Sequence, residues 1–317
     1  MTRPGHHATA SDGTPIFWSS SGRGAPAVVL TDGIGCAGYI WRTIAPALAE
    51  DRRVLHWNYR GHGASGMPAN PARSTLEDCV EDLVAVLSDA GEQRVVVMGH
   101  SMGVQVALEL HRLHPDRVAG LVLALGAPGR LLDGFRNSPA ARLAFPFARD
   151  LVLRHPEAAR LAFRALVPTD FAVDYALENE VARERMDRAD LERYFDDLSR
   201  VEPALFVRML ASAAEHDASS HLPRVNVPTL VVAGEADTFT PMRLSLAMHR
   251  AIPESELLVL PGASHAGLLE DGALVARVVR RFLAEKVPLA RPSRRAPPRR
   301  ALTGPARRSR RRTRSRG

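Results

Sequence analysis

The sequence predicts an α/β fold in which a mostly parallel central sheet is flanked by helices and interrupted by an inserted helical cap. Residues 14–125 alternate short β-rich runs with helical patterns, as expected when crossover helices join parallel strands. The strand pattern stops near residue 128 and returns after residue 222. One sheet with a helical insertion accounts for both observations.

The strands are predicted from continuous apolar runs, which are typical of strands covered on both faces. These runs are AVVLT (27–31), RVLHW (53–57), RVVVM (94–98), VAGLVLAL (118–125), VPTLVVAG (227–234) and SELLVLPG (255–262). Residues 74–91 place apolar side chains at helical spacing. We therefore predict a helix there, with Ser74 or Thr75 as its N-cap and Gly91 at its end.

The chain divides into four segments. They are residues 1–127 as the N-terminal part of the core, 128–222 as the helical cap, 223–287 as the C-terminal part of the core and 288–317 as an Arg-rich tail. The tail has almost no apolar residues that could offset the entropy cost of ordering, so we expect disorder. Two interpretations of it stay open, an arm that binds nucleic acid or an anionic membrane surface, and a merely solvated extension.

The formal net charge of +7 is a property of the tail. Residues 291–317 contain twelve Arg and no Asp or Glu, so residues 1–290 carry a net charge of −5. No apolar run reaches the roughly 18–20 residues that cross a bilayer, and the N-terminal residues lack the apolar core of a signal peptide. We expect no transmembrane segment and a cytoplasmic location. The sequence does not specify the oligomeric state.

The sequence predicts neither a metal site nor a nucleotide cofactor. Cys36 and Cys79 are too few for a disulfide framework and lack metal-ligand spacing, so both are expected to be reduced thiols. His6 and His7 fall in a terminus that we expect to be flexible. The Gly-rich loop at 33–38 lacks the Gly-x-Gly-x-x-Gly pattern of dinucleotide binding.

The pentapeptide GHSMG at residues 99–103 is the strongest chemical signal. It lies between the predicted strand RVVVM and the helical stretch SMGVQVALELHRLH, which is the strand, elbow, helix context of a nucleophilic serine. A nucleophile on so tight a turn has a strained backbone and needs small neighbours. The turn raises the Ser101 hydroxyl above the sheet, next to a helix N-terminus that favours negative charge.

Candidate partners for Ser101 follow two later strands. Asp237 comes after PTLVVAG, and His265 comes after LLVLPG. Because the carboxyl ends of parallel strands lie at one edge of a sheet, these side chains can converge on Ser101. The order of serine, acid and histidine is that of a nucleophilic triad, in which the acid orients the base. Glu235 is an alternative acid.

These motifs resemble the α/β-hydrolase fold superfamily, as a serine-nucleophile member with a helical cap. The resemblance covers about residues 14–285 and includes GHSMG, NYRGHGAS (58–65), VPTLVVAGEADTFTP (227–241) and LPGASHAG (260–267). It implies catalytic roles for Ser101, Asp237 and His265, and it favours Asp237 over Glu235. It also implies an oxyanion hole formed by the backbone amides of Ile34 and Met102.

One position departs from the family. The loop TDGIGCAG carries Asp32 where many members have histidine. Asp32 could lie beside the oxyanion site, or it could hold the loop through hydrogen bonds, and both alternatives stay open. For the other candidates, structural or packing roles are expected for His62, His216 and Cys36, while His100 should point away from the reacting face.

The expected function is a cofactor-independent serine hydrolase that acts on a small-molecule carboxylic ester or related acyl compound. Its substrate would bind in an apolar pocket under the cap. A lactonase, C–C bond hydrolase, perhydrolase or acyltransferase stays open because the same triad serves each of them. Ser101 argues against dehalogenases and epoxide hydrolases with an Asp nucleophile. A ligand-binding or interaction protein without catalysis is the alternative from another class, since a fold does not fix function.

Overall fold

The computed structural model describes residues 5–289 and contains one eight-stranded sheet. Its strands are β1 (His6–Thr9), β2 (Pro15–Ser21), β3 (Ala27–Thr31), β4 (Val54–Trp57), β5 (Val95–His100), β6 (Val118–Ala124), β7 (Thr229–Gly234) and β8 (Glu256–Leu260). The strand order is β1-β2-β4-β3-β5-β6-β7-β8. The pairs β1–β2 and β2–β4 are antiparallel and the others are parallel. The predicted fold class is confirmed.

The antiparallel edge corrects the sequence prediction in one place. His6 and His7 belong to β1, not to a flexible terminus. His6 stacks on Trp18 of β2 with the ring centroids 4.5 Å apart, and the side chain of Ala8 is buried. The short run was missed because it is polar and lacks the apolar continuity of the inner strands.

Helices cover both faces of the sheet. The α-helices outside the insertion are α1 (Ile44–Ala49), α2 (Leu76–Asp89), α3 (Met102–Leu113), α10 (Met242–Ala251), α11 (Gly267–Glu270) and α12 (Gly272–Lys286). Side chains of α2, α3 and α10 share one apolar cluster, and those of α1 and α12 share the other. The central strand β5 contributes alternately to both, with Val97 in the first and Val96 in the second, as a strand's period of two requires.

The N-terminus of α2 is closed by a capping box. Thr75 is the N-cap, its hydroxyl accepts a hydrogen bond from the Asp78 amide, and the Asp78 carboxylate accepts one from the Thr75 amide. The sequence had left Ser74 and Thr75 as alternatives. Both lie three residues before an acidic side chain, the spacing that a capping box requires, but the Ser74 hydroxyl donates instead to the carbonyl oxygen of Pro71 at 2.8 Å.

The insertion between β6 and β7 is helical. It contains α4 (Leu131–Gly134), α5 (Ala140–Arg154), α6 (Pro156–Leu166), α7 (Asp170–Asn179), α8 (Arg188–Ser199) and α9 (Pro203–Glu215). Helix α9 is the inner member, because Leu205, Met209 and Ala213 are buried against the core. No described helix is long and apolar enough to cross a membrane. Residues 290–317 of the predicted tail lie outside the described residues.

A buried ion pair fixes the loop after β4 to α2. The Arg60 guanidinium donates to both carboxylate oxygens of Asp82 at 2.8 and 2.6 Å, and both side chains are inaccessible to solvent. Asp12 accepts a further hydrogen bond from Arg60 at 3.0 Å. Removing one partner leaves the other charge buried, which costs far more than losing an exposed pair.

We expect Asp82→Ala to lower the free energy of unfolding by about 3–5 kcal/mol, because it leaves the Arg60 guanidinium buried without its main partner. Urea denaturation followed by circular dichroism measures the change. The control is Glu81→Ala, which removes an exposed partner of Arg73 and should cost about 1 kcal/mol or less. Equal losses in the two variants would contradict this reading of the Arg60–Asp82 pair.

Candidate active site

Ser101 occupies a sharp turn between β5 and α3. Its backbone angles are φ 54° and ψ −117°, a region that residues with a side chain rarely adopt. A Cβ on Gly99 would lie 2.2 Å from the carbonyl oxygen of Gly103, and a Cβ on Gly103 would lie 2.3 Å from that of Thr31. Steric exclusion therefore explains the glycines on both sides of Ser101.

Hydrogen bonds join Ser101, His265 and Asp237. The distance from His265 Nε2 to Ser101 Oγ is 3.0 Å. On the other side of the ring, His265 Nδ1 lies 3.0 Å from Asp237 Oδ2 and 3.2 Å from Oδ1. An ionised carboxylate only accepts, so Nδ1 carries the proton and donates to Asp237. In the neutral ring, Nε2 is then free to accept the Ser101 hydroxyl proton.

Asp237 is held in the loop after β7. The amides of Phe239 and Thr240 donate to its Oδ1 at 2.9 and 2.8 Å, and the Thr240 hydroxyl donates to Oδ2 at 2.8 Å. Burial alone would raise the pKa of Asp237, but the charge and hydrogen bond of His265 and the donors of Thr240 lower it below the usual value. Asp237 is therefore ionised and accepts from His265.

The loop that carries His265 is braced on two sides. Phe239 stacks on the His265 ring with the centroids 5.0 Å apart, and Phe135 packs edge-on against Phe239. The Glu270 carboxylate accepts from the Ser264 amide at 2.9 Å and from the Ser264 hydroxyl at 2.5 Å. The ring of His265 is thus held both by an aromatic contact and by a fixed backbone.

His100 packs against His265. The two ring centroids are 5.0 Å apart, so His100 lies next to the imidazole that bonds to Ser101, and its Nε2 donates to the backbone carbonyl of His265 at 3.1 Å. Trp41 packs perpendicular to its ring. Burial, with a further contribution from His265, lowers the pKa of His100 to about 3. The imidazole is therefore neutral at ordinary pH and acts as a hydrogen-bond donor that positions His265.

The loop after β3 passes directly beside Ser101. A Cβ on Gly33 would lie 3.1 Å from the Cβ of Ser101. Ile34 follows Gly33 in this loop, and Met102 follows Ser101 at the start of α3. The two peptide units expected to form an oxyanion hole are thus in neighbouring segments of the chain.

The Asp32 carboxylate holds this loop through hydrogen bonds. Trp41 Nε1 donates to Oδ1 at 2.5 Å, and His56 Nε2 lies 2.9 Å from Oδ2. The Tyr59 hydroxyl donates to the backbone carbonyl of Asp32 at 2.7 Å. Asp32 therefore holds the loop through hydrogen bonds, which is the second of the two alternatives, because Trp41 and His56 of β4 engage both of its carboxylate oxygens.

Glu235 lies apart from His265. Its carboxylate accepts from the Gly262 amide at 2.8 Å, so it links the loops that follow β7 and β8. Asp237 is the carboxylate within hydrogen-bond distance of His265. Thr240, which sequence reasoning missed, could have been found as a hydroxyl three residues after the acid, the spacing of a side chain that bonds back to a turn.

The remaining candidates make structural contacts. His62 is buried, with Nδ1 3.0 Å from the Arg60 carbonyl oxygen. His216 Nε2 lies 3.2 Å from Glu109 Oε2, at the far end of α3. Burial raises the pKa of the Cys36 thiol, so Cys36 is a protonated packing residue. Residues 5–289 contain no group of three or more His, Cys, Asp or Glu side chains arranged to hold a metal ion.

Neither Ser101 nor His265 lines the cavity next to α8. It has a volume of about 1320 Å³ and lies between α8 and the loops after β3 and β4. Its lining includes Tyr39, Trp41 and His56, together with the charged side chains Arg193 and Asp197 of α8. Two apolar side chains of the insertion lie next to the loop after β3, because a Cβ on Gly35 would meet Leu198 at 2.7 Å and Phe206 at 3.5 Å.

Comparison with known proteins identifies the class. A model of the alpha/beta hydrolase fold family matches residues 26–272, and the chain belongs to that family. It is 29% identical over 264 residues to "Putative carbamate hydrolase RutD" of Stutzerimonas stutzeri, an alignment that covers 83% of this chain and 93% of the relative.

Solved structures agree. An esterase from Thermogutta terrifontis is 25% identical, with a TM-score of 0.73 over 90% of this chain and 99% of the esterase. A hydrolase from Pseudomonas aeruginosa is 26% identical, with a TM-score of 0.72 over 88% of this chain and 98% of that one.

The depressed pKa of His100 predicts a change in stability with pH. Protonation favours the unfolded chain, where histidine titrates near 6.5, so the contribution of His100 is complete above that pH and falls as the pH drops toward 3. Lowering the pH from 7 to 5 should therefore decrease the free energy of unfolding of both proteins by different amounts. The decrease should be about 2 kcal/mol smaller in His100→Gln than in the wild type.

Urea denaturation at each pH measures this difference, and the other buried histidines cancel because both proteins contain them. His155→Gln, which removes an exposed imidazole, should give a curve parallel to that of the wild type. If the unfolding free energy of His100→Gln changed with pH in parallel with that of the wild type, His100 would not be the source of the pH dependence.

Proposed function

We propose that this protein is a cofactor-independent serine hydrolase that cleaves a carboxylic ester or a related acyl bond. One observation carries the proposal, the continuous hydrogen bonding from Ser101 through His265 to Asp237 with contacts of 3.0 Å on each side of the imidazole. A serine hydroxyl is a weak nucleophile until a base takes its proton. The contact of Ser101 with His265 provides the base, and the contact of His265 with Asp237 orients that base.

The first half of the reaction forms an acyl-enzyme. His265 Nε2 takes the proton of Ser101 as Oγ attacks the substrate carbonyl, and the imidazolium is stabilised by the Asp237 carboxylate. The amides of Ile34 and Met102 donate to the oxyanion, and the N-terminus of α3 adds a favourable dipole. His265 then gives its proton to the leaving group, and the carbon–leaving group bond breaks.

The second half releases the acid. His265 takes a proton from water as the hydroxide adds to the acyl carbonyl, and the same two amides stabilise the second oxyanion. The tetrahedral intermediate collapses, the bond to Ser101 Oγ breaks, and the proton on His265 returns to that oxygen. The net reaction is hydrolysis of the acyl bond, with the enzyme restored.

The substrate class is supported by the surroundings of Ser101 and by the relatives. Phe239 stacks on His265 and packs against Phe135, and Leu198 and Phe206 lie next to Gly35 in the loop after β3. We infer that residues 128–222 act as a cap over this region and accept a small acyl compound. The names of the relatives mention a carbamate and an ester, and both compounds offer a carbonyl with a leaving group to the same nucleophile.

A fluorophosphonate probe tests the nucleophile, because it forms a covalent bond with an activated serine. Wild-type protein should be labelled and Ser101→Ala should not. In hydrolysis of a p-nitrophenyl ester, Ser101→Ala and His265→Ala should each lower kcat on the order of 10⁴- to 10⁶-fold, and Asp237→Asn on the order of 10⁴-fold.

Glu235→Gln is the matched control for the acid, since it alters a carboxylate two residues away whose contact is with Gly262. Its activity should stay near that of the wild type. Wild-type protein that resists the probe would overturn the proposal in favour of a ligand-binding or interaction protein. Equal labelling of Ser101→Ala would place the nucleophile elsewhere.

A substrate panel separates the acyl compounds that the triad could process. The expected result is the highest kcat/KM for a short or medium p-nitrophenyl ester, compared with a lactone, a carbamate and a vinylogous 1,5-diketone as the C–C substrate. Because apolar side chains surround the site, extending the acyl chain should raise kcat/KM by up to about tenfold for two or so added methylenes. A preference for the lactone, carbamate or diketone would replace the ester assignment and leave the triad intact.

A further inference from the structure

Helices α5 and α6 expose large apolar side chains on the outside of the cap. Neither helix contains a buried residue. On α5, Leu143, Phe147 and Leu151 are 61, 79 and 62% exposed, and on α6, Leu161 and Leu166 are 74 and 67% exposed. We call these five side chains the cap apolar patch. Exposed apolar surface of this kind marks an interaction site in a folded protein.

The patch faces away from the core. Leu143, Phe147 and Leu151 are spaced four residues apart, so they form one stripe along α5. Both helices pack on α9, where Phe163 of α6 contacts Phe206, and Arg160 bonds to the N-cap residue Glu202 at 2.7 Å. The five exposed side chains are therefore not needed to pack the two helices on the rest of the chain, and nothing in residues 5–289 covers them.

Positive charge surrounds the patch. Residues 139–168 contain five Arg, two acidic side chains and no Lys, a net charge of +3, whereas residues 1–290 as a whole carry −5. Among the described residues, Arg154 and Arg164 are exposed and form no ion pair. Leu and Phe on one face of a helix with Arg around them is the pattern of a helix that lies in a membrane interface.

We propose that the cap apolar patch docks on an anionic lipid surface, with the five side chains entering the headgroup region and the arginines contacting lipid phosphates. Charge favours this occupant over a second copy of the chain. A two-fold dimer would bring the same patch of each protomer together, and the arginines would then face arginines. An anionic bilayer complements the apolar and the positive components at once.

The test is flotation of the full chain with vesicles of phosphatidylcholine alone or mixed with phosphatidylglycerol. Wild type should float with the mixed vesicles. L143S/F147S/L151S should reduce the partition coefficient by about a hundredfold. R154E/R164E should reduce binding to the mixed vesicles by about tenfold or more and leave binding to phosphatidylcholine unchanged. All proteins carry the twelve Arg of residues 291–317, so the differences between them report the patch.

The matched control is L113S/L289S, which replaces exposed leucines outside the cap (43 and 48% exposed) and should float like the wild type. Vesicle binding by the triple variant equal to that of the wild type would overturn the proposal, as would a wild type that does not float. Light scattering after gel filtration tests whether a second copy of the chain covers the patch instead. A wild-type dimer that becomes monomeric in the triple variant, without flotation, would assign the patch to self-association.

Fluorophosphonate labelling of Ser101 should be the same in wild type and triple variant, because the substituted side chains lie outside the hydrogen-bonded site. Vesicle binding can therefore fail while labelling succeeds, and labelling can fail while vesicle binding succeeds. Circular dichroism of the triple variant should match the wild type, since the replaced side chains are exposed.

Discussion

The backbone of Ser101, at φ 54° and ψ −117°, is the constraint on which the arrangement of the site depends. A non-glycine residue in such a conformation costs about 1–3 kcal/mol and persists only where its surroundings impose it. Strand β5 imposes this conformation on Ser101, because β5 is itself fixed by pairing with β3 on one side and β6 on the other. The close approach of Gly99 to Gly103 then lets α3 begin at once, and the Ser101 hydroxyl is left facing His265.

The other groups of the site are each held by a second set of contacts. The Thr240 hydroxyl donates to Asp237, and His100 donates to the backbone carbonyl of His265. The hydrogen bonds of Asp32 hold the loop after β3. Side chains held in this way lose little entropy when a substrate binds, and their donors need not reorganise as charge develops. The supporting contacts come from segments far apart in sequence, so their effect depends on the sheet that brings these segments together.

The helical insertion illustrates why composition alone predicts helices but not their roles. Helices α5, α6 and α9 are all rich in Ala, Leu and Phe. Yet α9 buries Leu205 and Met209 against the core, while the exposed side chains of α5 and α6 include Phe147 and Leu161. A helical pattern indicates which side chains share a face. It does not indicate whether that face meets the core, another helix or solvent.

The sequence by itself predicted the inner strands, the helical insertion, and the residues proposed as nucleophile, acid and base. These are local signals, since apolar runs and small residues around a serine follow from the chemistry of a buried strand and a tight turn. The tertiary structure alone decided the distances among Ser101, His265 and Asp237, the loop-holding role of Asp32, and the pairing of His6–Thr9 with β2. Each of these depends on contacts between distant segments, and such contacts leave no periodicity in the chain.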